Sequence, residues 1–141
     1  MIKEAYCSFE VSKLLKEKGF PQLLGDDGCV NRIPYYCSNG NLWTGDIGLL
    51  RQRYFHEASA PTHQMALEWL REEKNLIITI DYDRYPISDE NKTIIGYGYS
   101  IQTKGNPEDY YSMCVPVCND YEEAVEAALK YALKYCLTKL I

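Results

Sequence analysis

KTIIGYGYSIQT, residues 92–103, contains Gly96-Tyr97-Gly98. Two glycines one residue apart either belong to a phosphate-cradling loop or sit on one face of a strand, and the choice decides the fold. A dinucleotide-binding loop needs a third glycine three residues further on, in a turn that leads into a helix. Here that position is Ile101, and no helical pattern follows. Thr93, Ile95, Tyr97, Tyr99 and Ile101 instead alternate with Ile94, Gly96, Gly98, Ser100 and Gln102. Period two is the signature of a strand, so the stretch reads as a strand with one large-residue face and one small-residue face.

That reading supplies the candidate binding residues: Tyr97, Tyr99, Gly96 and Gly98. A strand glycine often marks close approach by another backbone or a ligand. Two arrangements satisfy the pattern. In the first, a helix or the Trp69 ring fills the groove over Gly96 and Gly98, and the strip of Ile95, Tyr97, Tyr99 and Ile101 is a recognition surface. In the second, that strip is the core and the glycines face water.

The flanking segments are consistent with a sheet. LIITIDYD (76–83) alternates Leu76, Ile78, Ile80 and Tyr82 with Ile77, Thr79, Asp81 and Asp83. RYPISDEN is read as a loop, KGNPED as a turn and YYSMCVPV as a third strand. Pro116 places that strand at an edge or puts the proline at a strand end, because proline cannot donate to a ladder. Helices bracket the strands. In APTHQMALEWLREEKN, Thr62 is the expected N-cap, and Met65, Ala66, Trp69 and Leu70 form the buried stripe, with Trp69 as core anchor and His63 exposed. In NDYEEAVEAALKYALKYCLTKLI, Asn119 is the expected N-cap with Glu122 closing a capping box, and Val125, Leu129, Ala132, Cys136 and Leu140 are the apolar row.

Before this unit, CSFEVSKLLKEKGF reads as a helix that starts at Ser8 and stops at Gly19, with Phe20 folding back onto Leu15. GDDG (25–28) is a turn. IPYYCSNGNLW reads as a hairpin turning at Asn39-Gly40. Residues 45–60 have no clear pattern. The expected fold is α+β: an N-terminal helix and small hairpin, then an α-β-β-β-α unit with a three-stranded antiparallel sheet. Its 141 residues suit a single domain, 1–141.

Composition narrows the function. The net charge of −5 argues against nucleic-acid binding, which draws on Lys and Arg to displace phosphate counterions. Residues 107–126 hold six acids and no Lys or Arg, so a lysine-gripped phosphate of the double-stranded-RNA-binding kind is rejected there; the same strip allows the opposite idea, carboxylates presented to a basic partner, without selecting it. No segment approaches the roughly 18 apolar residues of a membrane span, and no signal-peptide core is present, so the expected location is cytoplasmic with the six cysteines as thiols. Cys114 and Cys118 are four apart but have no second ligand pair, so no metal is expected. The cysteines and the two histidines show no nucleophile signature. Asp81 and Asp83 share a strand face, as carboxylates on the solvated side of a sheet commonly do. The thirteen tyrosines are the unusual feature. Tyr82, Tyr97, Tyr99, Tyr110 and Tyr111 fall on the strands, and tyrosine suits recognition because its ring is large and rigid and its tip polar.

Three stretches, CSFEVSKLLKEKGF (7–20), APTHQMALEWLREEKNLIITI (60–80) and YEEAVEAALKYALKYCLTKLI (121–141), together resemble small uncharacterised proteins from phage- and prophage-related regions of gut Bacteroidetes. PTHQMALEWLREE is the most telling piece, since helix composition alone does not demand it. The resemblance implies a mobile-element setting and a compact intracellular protein; it brings no activity, cofactor or catalytic residue. The expected function is a non-enzymatic binding or accessory protein of a phage or mobile element. It would act through a protein partner or by self-association, without cofactor, nucleic acid or membrane. The alternative is a small enzyme or small-molecule-binding protein using the Gly96/Gly98 groove and the nearby carboxylates.

Overall fold

The computed structural model describes residues 5–22, 34–43, 56–87 and 92–137. The fold is mixed α and β. The chain divides into two compact units, Met1–Ala66 and Leu67–Ile141, where the sequence reads as one continuous domain. The turn at 25–28 and the segment 48–55 lie outside the described residues.

In the first unit, α1 (Phe9–Glu17) begins where the Ser8 hydroxyl accepts from the Val11 N–H at 3.2 Å. It ends in a Schellman closure: Phe20 N–H bonds Leu15 O at 2.9 Å, Gly19 N–H bonds Lys16 O at 3.2 Å, and Gly19 takes φ +99°. Phe20 is buried, as are Val11 and Leu15. Ser12 is also on the buried face, and its hydroxyl has no hydrogen-bond partner among the described residues. A buried unpaired hydroxyl costs stability, and alanine is the better helix former. Ser12→Ala should therefore raise stability by about 0.5–1 kcal/mol, read as a higher urea midpoint; a lower midpoint would mean that the hydroxyl is partnered.

β1 (Tyr35–Cys37) and β2 (Leu42–Trp43) form the hairpin read at IPYYCSNGNLW. Of the Asn39-Gly40 pair only Gly40 has a positive φ, +87°. Gly40 N–H bonds Cys37 O, so a tight turn is followed by one left-handed residue. The patternless stretch hides β3 (His56–Ser59), which pairs antiparallel with the other side of β1, giving the order β2-β1-β3. The Tyr36 hydroxyl donates to Cys7 O at 2.6 Å and ties the segment before α1 to this sheet.

α2 (His63–Glu73) is capped by Thr62, whose hydroxyl accepts from Met65 N–H. Of the expected stripe, Ala66 and Leu70 are fully buried, and His63, expected to be exposed, is buried with them, while Met65 and Trp69 are not. Met65 is 40% exposed, and Trp69 is half-buried with the Lys74 ammonium 5.4 Å from its ring centroid. The reason lies at the first turn. Thr62 bridges to Tyr6, and His63 N–H bonds Ala5 O at 2.8 Å, which turns the His63 side of the helix inward.

In the second unit, Asn75 in the left-handed region (φ +58°) links α2 directly to β4 (Leu76–Ile87). β4 pairs antiparallel with β5 (Lys92–Thr103), and β5 with β6 (Asn106–Cys118), in the order β4-β5-β6. β4 runs on to Ile87, through residues expected to be a loop, because Arg84, Tyr85, Pro86 and Ile87 keep partners on β5. Pro86 is tolerated because β4 is an edge. β6 is the other edge, and its register shifts between Tyr99↔Met113 and Tyr97↔Cys118, around Pro116.

α3 (Tyr121–Tyr131) packs on all of these strands. Its N-cap is Asp120, one residue later than expected, accepting from Glu123 N–H at 2.7 Å. Ala124, Val125, Ala128 and Leu129 are fully buried. The helix passes into a π-helical turn, Ala132–Cys136, with Leu137 N–H bonded to Ala132 O. The wider turn keeps Ala132, Leu133 and Cys136 buried together.

Candidate binding surface on the tyrosine face

The β4–β5 register decides which side chains share a face. Ile78 lies opposite Ile101, Ile80 opposite Tyr99, Tyr82 opposite Tyr97 and Arg84 opposite Ile95. Strand alternation puts all eight on one side of the sheet. α3 covers this side, since Tyr97 meets Tyr121 edge-on at 6.0 Å and Tyr99 meets Tyr131 at 6.3 Å. As in the second arrangement, Tyr99 and Ile101 lie in the core under α3, but Gly96 and Gly98 are themselves buried and do not face water as that arrangement expects.

Cover falls off along the strands. Ile101 is fully buried, Tyr99 is 8% exposed and Tyr97 is half-buried. Beyond the first residue of α3 the face opens: Tyr82 is 64% exposed, Ile95 52% and Tyr121 47%. Tyr82 and Tyr97 are in ring contact at 4.9 Å and 57°. These rings form a cluster that is fixed by mutual packing yet largely open to solvent. At the other end, Tyr131 and Tyr135 contact at 5.0 Å, four residues apart on the helix, and Tyr135 is exposed.

Of the candidate residues, Tyr99 belongs to the core, 8% exposed. Tyr97 sits at the boundary and supports Tyr82. Gly96 and Gly98 are buried on the opposite side of β5, across from Asp83 and Asp81, which are exposed. Sequence reasoning missed Tyr121, Tyr131 and Tyr135. The spacing of Tyr131 and Tyr135 was a usable signal for stacked rings on a helix; nothing local to Tyr121 points across to Tyr97. The side chains of Tyr110, Tyr111 and Cys114 lie outside the described residues.

Burial, then the neighbouring Tyr131, Cys118 and Cys136, push the Tyr99 hydroxyl up to about 12. An unfolded tyrosine ionises near 10, so the unfolded chain loses this proton first. The associated stability is complete below pH 10 and is lost as pH rises from about 10 to about 12. With allowance for solvent screening, the loss is on the order of 1–2 kcal/mol. It should appear as a falling urea midpoint across that window in wild type and be reduced in Tyr99→Phe. Burial, then Glu123 and Asp120, likewise raise the Cys118 thiol, and a thiol held protonated is a poor nucleophile.

No helix among the described residues is long and apolar enough to cross a membrane. No family model matches the chain, and no curated protein or solved structure matches it.

Proposed function

We propose that the protein is a non-enzymatic binding or accessory protein of a phage or mobile element, acting through a protein partner, with the α-β-β-β-α unit and its three-stranded sheet as the working part. The carrying observation is the exposed ring cluster of Tyr82 and Tyr121 held by Tyr97, with Ile95 beside it. Large aromatic surface left open on a rigid scaffold is typical of interface anchors. The catalytic alternative would draw on Asp81 and Asp83 beside Gly98 and Gly96. Both carboxylates are exposed, as carboxylates on the outer side of a sheet ordinarily are.

Photo-crosslinking tests this reading. A benzophenone side chain at position 82 should yield a discrete adduct with another protein in host cells, while the same group at exposed position 104 should not. Absence of any adduct from position 82, or equal adducts from both positions, would remove the case for this surface.

A further inference from the structure

We infer that the open end of the tyrosine face docks a cationic polypeptide segment, seating an arginine or lysine of the partner against the Tyr82 ring while neighbouring basic residues meet the carboxylates at the start of α3. This rests on the reading of the same surface as the partner-binding one.

The first argument is charge. The unit Met1–Ala66 holds seven acids and seven bases, whereas Leu67–Ile141 holds thirteen acids and eight bases. The whole net charge of −5 therefore belongs to the unit that carries the rings. Asp120, Glu122 and Glu123 are exposed immediately around Tyr121, which contacts Tyr97, which contacts Tyr82. An aromatic face attracts a cation through its quadrupole, and carboxylates beside it add Coulomb attraction and steer encounter.

The second argument is the exclusion of other occupants. In an isologous dimer each copy would bring the same acidic rim to the other, and like charges facing each other oppose association. Nucleic acid is opposed for the same reason. Arg84 shares the face at the Ile95 end, so it repels a cation there and biases the basic segment toward Tyr121. The chain itself already seats ammonium groups on rings: Lys13 lies 4.8 Å from the Phe9 centroid and Lys74 5.4 Å from that of Trp69.

The test uses the full chain and three labelled peptides of equal length, alternating Arg-Gly, Gln-Gly and Glu-Gly, with binding read by fluorescence anisotropy at low and high salt. The Arg-Gly peptide should bind and the other two should not. Tyr82→Ala should weaken binding roughly 2- to 5-fold, as expected for an exposed cation–π contact, and Tyr82→Phe, which keeps the ring, should restore it. Glu122→Gln with Glu123→Gln should weaken binding at low salt and change little at high salt, where screening removes their contribution. Tyr82 is mostly exposed, so these variants keep the wild-type circular dichroism; Tyr121→Ala, altering the other open ring, gives an independent check. Equal binding of Arg-Gly and Gln-Gly peptides, or no effect of either ring substitution, overturns the inference. So does a dimer in sedimentation that Tyr82→Ala dissolves. If crosslinking from position 82 still captures a protein while the Arg-Gly peptide shows no preference, the cationic occupant is wrong and the partner-binding reading stands. If both fail, both fall.

Discussion

Tyr99→Ser is expected to destabilise the second unit by about 3–5 kcal/mol, the usual cost of deleting a buried aromatic ring, while Tyr82→Ser changes stability by less than about 0.5 kcal/mol. The two residues lie on the same face of adjacent strands and differ only in cover. Tyr99 is 8% exposed and packs on Tyr131 of α3; Tyr82 is 64% exposed. Removing the Tyr99 ring leaves a cavity bounded by a strand that is paired on both sides and by a helix whose fully buried Ala128 and Leu129 belong to the core. Neither element collapses into such a space without breaking its hydrogen bonds. Urea denaturation of the two single variants measures the difference directly. Equal midpoints would mean that α3 does not close over Tyr99, and the division of this face into a core end and a binding end would be lost. The pairing of Tyr97 with Tyr82 gives Tyr97→Ser an intermediate cost.

Phe20→Ala should cost about 3–5 kcal/mol in the first unit, although Phe20 lies outside α1. Its backbone N–H closes the helix on Leu15 O, and Phe20 is buried, as are Leu15 and Val11 of that helix. Gly19→Ala tests the same closure from the backbone. A Cβ there meets nothing within 4 Å, so its cost is conformational, about 1 kcal/mol for a left-handed residue. Amide exchange in α1 reports both. The expected order is Phe20→Ala fastest, Gly19→Ala next and wild type slowest; a reversed order would place the stabilisation in the backbone turn instead of the ring.

Features set by a few neighbouring residues could be read from the chain. α1 is bounded by Ser8, Gly19 and Phe20, all within one turn of the ends they close. The glycine of the β1–β2 turn, the Thr62 cap of α2 and the strand character of residues 92–103 are of the same kind. Each depends on a local hydrogen bond, a local φ or strict alternation. Where two neighbours offered nearly equal local chemistry the reading slipped by one: Asn119 and Asp120 are both good caps, and the residue whose carboxylate reaches Glu123 N–H closes α3.

Distant pairing decided the rest. β3 has no pattern of its own and exists because Ala58 and Ser59 find Tyr36 and Tyr35 on β1. β4 continues through Arg84, Tyr85 and Pro86 because β5 extends opposite them and the proline falls on an edge. Period two established that β5 has a ring face and a glycine face, but it is blind to which of them a helix covers. α3 covers the rings because its apolar row buries far more area against Tyr97, Tyr99 and Ile101 than against two glycines, and apolar stabilisation scales with the area removed from water. It also stops short: α3 begins at Tyr121, opposite Tyr97, so Tyr82 and Ile95 remain in solvent and the surface proposed for recognition lies where the helix ends.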